Sequence, residues 1–335
     1  MKPIITLTLN PTIDGSASAD VIAPVRKIRT TDERYHPGGG GINVARVVQE
    51  LGGDALALYL AGGATGAILD DLLMTAKVRC QRIPIAGYTR IAHTVFERTS
   101  ALEYRFVPEG PEVSEAEWDA CLRELAHLDF DYVVASGSLP RGLPETAYVS
   151  VVEIAAAKGA RIVLDTSGAA LKATLGKGVY LIKPNRRELE ELVGRPLPAT
   201  TDQIAAARAL IADNAAELIA ITLGHEGALI VSHSEAWHTL APPVTANSAV
   251  GAGDSFVGAV TLALAQGRSL DGVLAYGVAA GTAAVLSPGA ELSLAADVEQ
   301  LNADLQSSVH RLVETTASTA AAPADIQSAL PPSSG

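Results

Sequence analysis

Five stretches of the 335-residue chain set polar groups beside bare backbone, and each suggests a chemistry. In "VGAGDS" (250–255), Gly251, Ala252 and Gly253 have almost no side chain and lead into a long small-residue helical pattern. Their N–H groups could converge with the positive end of the helix dipole and form an anion hole. Asp254 stands directly beside them. A carboxylate there could simply complement the dipole, worth about 0.3–1 kcal/mol. It could instead take the proton of a hydroxyl as that oxygen attacks a phosphoryl group, while the amides stabilise the developing charge.

In "YLIKPNRREL" (180–189), Asn185 and Glu188 are three apart at a helix start. As hard oxygen donors they suit magnesium, directly or through water; the same spacing also makes an ordinary capping pair. In "TLGHEGALI" (222–230), Thr222 and Gly224 at a strand end could meet nucleotide phosphates, or the segment is a plain hairpin. Asp14 in "NPTIDGSA" could bind sugar hydroxyls or close an Asx-turn.

The glycine run in "YHPGGGGINVARVVQELGG" (35–53) fails the dinucleotide fingerprint G-x-G-x-x-G. Five residues after Gly38 stands Asn43, and five after Gly39 stands Val44. Walker A fails at the same place. What remains is a helix start with a bare backbone approach and the Asn43 amide one turn in, suited to sugar hydroxyls. A tight strand-to-helix turn is the alternative.

These motifs need elements to hold them. "IITLTL" (4–9), "ALALYL" (55–60), "YVVAS" (132–136), "RIVLD" (161–165), "VYLIKP" (179–184) and "LIAITL" (218–223) read as buried strands. Helical patterns lie between them, with capping-box spacing at Ser114/Glu117 and at Thr200/Gln203. Such alternation predicts an α/β fold with a mostly parallel sheet covered on both faces, and ligands at the carboxyl ends of the strands. Residues 12–36 and 86–108 break the rhythm as extended, hairpin-like pieces. They predict either a small β-lid, which could also be a dimer surface, or two surface hairpins.

Residues from about Thr315 onward are Ala/Ser/Thr/Pro-rich without apolar periodicity, and a disordered tail at 311–335 is expected after a domain spanning 1–310.

Composition narrows the partners. Hydrophobic residues make up 48% and aromatic ones 4%, so Ala, Val, Leu and Ile must build the core. A net charge of -12 argues against nucleic acid or an anionic membrane. An anionic substrate would need local cations. Cys80 and Cys121 form no CxxC pattern, and with no apolar h-region at the start a reduced, cytoplasmic protein is expected.

Together the motifs resemble the ribokinase/PfkB family of sugar kinases from Met1 to about residue 310. Gly251-Ala252-Gly253-Asp254, "KPNRREL" and the early glycine run with Asn43 carry the resemblance. Within the family, "TLTLNPTID", "YTR" (88–90), "YRFVPEG" and "SGSLPRG" resemble the phosphofructokinase branch. Gly40 stands where the 1-phosphofructokinase and tagatose-6-phosphate kinase branches usually have lysine. The stretch Asn247-Ser248-Ala249-Val250 departs from the family's frequent Asp-Thr-Thr.

The resemblance implies a ribokinase-like three-layer sandwich with a small β-lid. It also implies ATP-dependent phosphorylation of fructose 6-phosphate, a step of glycolysis; the tagatose 6-phosphate and fructose 1-phosphate activities are the alternatives. By the same resemblance Asp254 is the base and Gly251, Ala252 and Gly253 the anion hole. Asp14, Gly38, Gly39, Asn43 and Ser138 would hold the sugar, and Arg90 its phosphate. Lys27 and Arg29, two apart on one strand face, would add charge from a partner's lid in a homodimer. Lys183, Asn185, Thr222, Gly224, Gly227 and Thr282 would surround ATP, and Glu188 would orient Mg2+. A K+ site is implied near Ser248, Val250, Ala284, Ser287 and Gly289.

Overall fold

Aliphatic runs too short for helices become the strands of a central sheet, and the patterns between them become the helices that cover it. The computed structural model describes residues 2–245, 248, 250–287, 292 and 294–312. In chain order the first elements are β1 (Ile4–Thr8), β2 (Thr12–Ala19), β3 (Thr31–Gly38), α1 (Gly40–Glu50), β4 (Ala55–Gly62), α2 (Gly63–Thr75), β5 (Cys80–Ile85), β6 (Arg90–Glu97) and β7 (Leu102–Phe106). Next come α3 (Glu115–His127), β8 (Tyr132–Ser136), α4 (Ala147–Ala157), β9 (Arg161–Asp165), α5 (Gly168–Thr174), β10 (Leu181–Ile182), α6 (Arg186–Val193) and α7 (Thr200–Ala212). The last are β11 (Leu218–Thr222), β12 (Ala228–Val231), β13 (Ala236–Thr239), α8 (Ala252–Ala265), α9 (Leu270–Leu286), α10 (Ala295–Leu305) and β14 (His310–Arg311).

The large sheet has the order β14-β13-β12-β11-β10-β9-β8-β1-β4-β5. Pairs from β11 across to β5 are parallel, and β12, β13 and β14 continue the sheet antiparallel. Alternation along each strand divides the core in two. Ile5, Leu7, Val133, Leu164 and Ile219 face one cluster with α3, α4 and Leu189 of α6. Ile4, Ala57, Val134, Val163 and Ala220 face another with α1, α8 and α9. The second face is rich in alanine, and its helices approach closely. A β-carbon on Gly277 of α9 would lie 2.6 Å from Val260 of α8. Three layers result.

The two extended segments form a lid, as one of the two sequence readings had it. β3-β2-β6-β7 make a separate four-stranded sheet, in which parallel β2–β6 pairing joins the two hairpins.

Several sequence expectations change in detail. The strand read at 179–184 narrows to Leu181–Ile182, because Pro184 has no N–H to give the ladder. The capping box expected at Thr200/Gln203 does not form: Ala199, one residue earlier, is the N-cap and has no side-chain acceptor, and its N–H donates to Asp202 Oδ2 at 3.2 Å. Gln203 instead turns inward, donating to the Leu197 carbonyl at 3.1 Å. Lys27 and Arg29 are not on a strand face; they are exposed in the connection between β2 and β3. Arg311, which the sequence reading put at the start of the tail, instead pairs with Trp237 as part of β14; the rest of that reading from 313 onward, and Gly289 of the K+ reading, lie outside the described residues.

Candidate active site

The site lies where the lid meets the carboxyl ends of the parallel strands. A cavity of about 360 Å³ is lined from the lid by Asp14, Arg90 and Arg105 and from the sheet by Gly137 and Asp165. Gly39, Gly40 and Asn43 of α1 and Gly251 and Asp254 of α8 complete it. A second cavity, about 680 Å³, lies across the first turn of α8. Its lining includes Asn185, Thr222, Gly224, Gly227 and Thr282, together with Ala252 and Gly253. One helix turn therefore walls both cavities, with Gly251 and Asp254 on one side and Ala252 and Gly253 on the other.

That turn is built for close approach. Gly251 is the N-cap of α8 with φ 76°, a conformation that favours glycine. Asp254 is half-buried, and its Oδ2 accepts from Asn43 Nδ2 at 2.9 Å. Burial and the charge of Asp165 push its carboxyl up to about 7, against the opposing pull of the Asn43 hydrogen bond and Lys183. A carboxylate poised near neutrality is matched to proton abstraction.

The glycine run is explained by what each missing side chain would strike. A β-carbon on Gly38 would lie 2.0 Å from Asp14 Oδ2, and one on Gly40 2.1 Å from Ser136 Oγ. On Gly41 it would meet Thr8 Oγ1 at 2.5 Å and the Leu7 carbonyl at 2.6 Å. Gly39, with φ 110°, turns the chain into α1. The run is thus a tight turn, as one of the two sequence readings had it, and Gly39 and Gly40 also line the cavity.

Arg90 is held by three carbonyls. Its guanidinium donates to Asn10 at 2.8 Å, Pro108 at 3.0 Å and Pro11 at 3.4 Å. Burial lowers its pKa and nearby Asp14 partly restores it. Burial likewise raises the Asp14 carboxyl, opposed by Arg105 and Arg90. Ser138 is exposed and lines a neighbouring cavity of about 280 Å³ with Asp165 and Glu188, while Ser136 and Gly137 line the 360 Å³ cavity.

Asn185 and Glu188 do form the capping box that was one of the two sequence readings. Glu188 N–H donates to Asn185 Oδ1 at 2.9 Å, and Asn185 N–H to Glu188 Oε2 at 2.8 Å. Among the described K+ candidates, Ser248 N–H meets the Val285 carbonyl at 3.4 Å, Val250 N–H the Ser248 hydroxyl at 3.2 Å, and Ser287 N–H the Ala284 carbonyl at 3.2 Å. They share the corner between the end of α9 and the approach to α8.

Lys183 departs from its expected surroundings. It is absent from the lining of the 680 Å³ cavity, and its buried ammonium pairs with Asp165 at 3.1 Å. Burial lowers its pKa, but Asp165 outweighs that and holds it above the ordinary value. Asp165 was missed in the sequence, although it ends the buried run "RIVLD" at the side where ligands bind. Arg105, inside "YRFVPEG", was missed as well; the single signal was an arginine alternating with apolar residues in an extended segment.

A three-layer α/β sandwich with a β-lid, a carboxylate at a helix start and cavities on either side of it defines a small-molecule kinase of ribokinase-like fold. Ribokinase of Arabidopsis thaliana, complexed with ribose and ATP, superposes with a TM-score of 0.73 over 90% of this chain and 99% of that one; at 18% identity the likeness is of fold alone. The chain belongs to the pfkB family of carbohydrate kinases, which matches residues 8–297. It is 45% identical over 302 residues to ATP-dependent 6-phosphofructokinase isozyme 2 of Mycobacterium tuberculosis, covering 89% of each chain. Phosphofructokinase-2 of Escherichia coli in complex with fructose-6-phosphate superposes with a TM-score of 0.86 at 38% identity, covering 91% of this chain and 99% of that one. That Escherichia coli enzyme is also described in complex with potassium and in a tetrameric inhibited form.

Proposed function

We propose that the chain is an ATP-dependent 6-phosphofructokinase acting in the cytoplasm. It transfers the γ-phosphoryl of ATP to the 1-hydroxyl of fructose 6-phosphate and releases ADP and fructose 1,6-bisphosphate. The observation that carries this reading is the position of Asp254, on the wall common to two cavities. A sugar hydroxyl on one side and a phosphoryl group on the other would meet at that turn.

Each step then has its residues. Asp14, Gly39 and Asn43 hold the sugar, with Gly38 backing Asp14 and Ser138 in the adjoining cavity that shares Gly137 and Asp165, and Arg90 with Arg105 holds its phosphate. Asp254 takes the hydroxyl proton as the new O–P bond forms and the bond to the β-phosphate oxygen breaks. The 251–253 amides meet the charge on the moving group. ATP occupies the 680 Å³ cavity against Asn185, Thr222, Gly224, Gly227 and Thr282, and Lys183, outside that lining, lies close to Gly253 of the turn. The lid keeps water from competing for the phosphoryl group.

The donor set fits magnesium. Glu188 commits Oε2 to the cap and faces the same small cavity as Asp165. Among the described residues no cluster of three or more His, Cys, Asp or Glu could cage a metal. One or two carboxylates completed by water and phosphate oxygens is the usual magnesium arrangement. When bound, magnesium supplies positive charge against the phosphates. Backbone carbonyls and hydroxyls near Ser248 and Ser287 suit K+ in the same way.

The lid carries exposed Tyr35, Phe96, Leu102, Phe106 and Val107, which supports a homodimer through this sheet, with Lys27 and Arg29 reaching the partner's site. Light scattering that finds a monomer at micromolar concentration would count against it. The main test is a coupled assay with ATP and magnesium on fructose 6-phosphate, tagatose 6-phosphate and fructose 1-phosphate. Fructose 6-phosphate should give the highest kcat/KM; preference for either other sugar phosphate would overturn the assignment.

A further inference from the structure

Asn43 makes a second side-chain contact besides that with Asp254. Its Oδ1 accepts from Arg46 at 3.2 Å, and the same guanidinium nitrogen donates to the Pro37 carbonyl at 3.2 Å. Arg46 stands three residues on from Asn43 along α1, so the two side chains share a helix face. Pro37 belongs to lid strand β3, where it pairs with Ile13 of β2. A chain of contacts therefore runs from lid backbone through Arg46 and Asn43 to Asp254.

The chemistry of the chain is directional. An amide is nearly symmetric in shape, and turned over it would present its oxygen to the Asp254 carboxylate, acceptor against acceptor. A guanidinium can only donate. By claiming Oδ1, Arg46 leaves the Asn43 NH2 to face the base. One of its two hydrogens is bonded to Asp254 Oδ2, and the other is free for a sugar hydroxyl.

We infer that Arg46 is a positioning residue for phosphoryl transfer: it locks the Asn43 amide in one orientation, and the amide pins Asp254 Oδ2 so that the other carboxylate oxygen serves the sugar hydroxyl. This rests on reading Asp254 as the base. In this scheme Arg46 touches neither substrate and acts on Asp254 through Asn43; its charge also favours the Asp14 carboxylate, an effect that would show in KM for the sugar phosphate and not in kcat.

The test is a double-mutant cycle. Arg46→Met removes the donor and keeps most of the volume, Arg46→Lys keeps one donor, and each is also made on an Asn43→Ala background. Arg46→Met should lower kcat by about 10- to 100-fold, the usual consequence of a misplaced reacting group, while KM for ATP stays within about twofold. Arg46→Lys should recover most of that loss. On the Asn43→Ala background, Arg46→Met should cost nothing further, because the two act as one unit.

Unchanged kcat in Arg46→Met would overturn the inference. So would losses that simply add in the double variant, or that follow a falling melting temperature in Met and Lys variants alike, since both describe a residue that only props up the β3–α1 turn. Failure of the underlying reading looks different: Asp254→Asn would then keep its turnover, whatever Arg46 does.

Discussion

Replacing Asp254 by asparagine tests the site at its centre, because two properties should move in opposite directions. The substitution keeps shape and leaves an amide oxygen to accept from Asn43 Nδ2, now 2.9 Å from Asp254. It removes the group proposed to take the proton. Turnover should fall by about 100- to 10,000-fold, the usual worth of a positioned base, or about 2.7–5.4 kcal/mol of barrier. KM for ATP should change little.

Stability should rise. The folded carboxyl is pushed from its ordinary 3.8 to about 7, so the native state holds a proton that the unfolded chain releases earlier. Below pH 3.8 both states are protonated and the carboxylate costs nothing. Between 3.8 and about 7 only the unfolded parent ionises, so the parent loses stability as pH rises. Above about 7 the gap is constant, at most about 4 kcal/mol, and about 2–4 kcal/mol once the partial access of the carboxylate to the cleft is counted. Urea unfolding of both proteins at pH 5 and pH 8 measures it, and the variant should gain more at pH 8. The parent's kcat should also fall about tenfold per pH unit well below 7, as the base takes up its proton. A variant that turns over normally, or one less stable than the parent at pH 8, would refute the reasoning.

Other outcomes follow from single contacts. Gly38→Ala puts a methyl 2.0 Å from Asp14 Oδ2, so KM for the sugar phosphate should rise by about tenfold or more in steady-state assays, with ATP affinity retained. Arg90→Lys loses the planar fork that three carbonyls now aim, and should raise KM for the sugar phosphate by about tenfold while leaving kcat within a few-fold. Lys183→Met leaves Asp165 without its 3.1 Å partner at a buried site, and urea unfolding at pH 7 should show a loss of about 3–5 kcal/mol.

The sequence made some of this site readable and hid the rest for physical reasons. Asp254, Gly251 and Asn43 announce themselves because a helix start with no side chains is a local pattern, and because buried parallel strands are continuous aliphatic runs. Asp165 and Lys183 are 18 positions apart and meet because β9 and β10 are neighbours in the sheet; no local spacing reveals a partner chosen by strand order. Thr200 and Gln203 had the right spacing for a cap, yet the helix starts one residue sooner, where Asp202 serves as well and Gln203 can reach Leu197. β5, β13 and β14 escaped notice as edge or near-edge strands with mixed polarity. Lys27 and Arg29 looked like a strand face because alternation in an exposed loop cannot be told from alternation in a hairpin.

The hydrogen bond between Asn43 and Asp254 spans 211 positions. During synthesis at about 5–20 residues per second, the amide leaves the ribosome roughly 10–40 s before the carboxylate it will orient. With Asp254 as the proposed base, the nascent protein should stay chemically silent until α8 arrives, and an N-terminal fragment lacking α8 should consume no nucleotide.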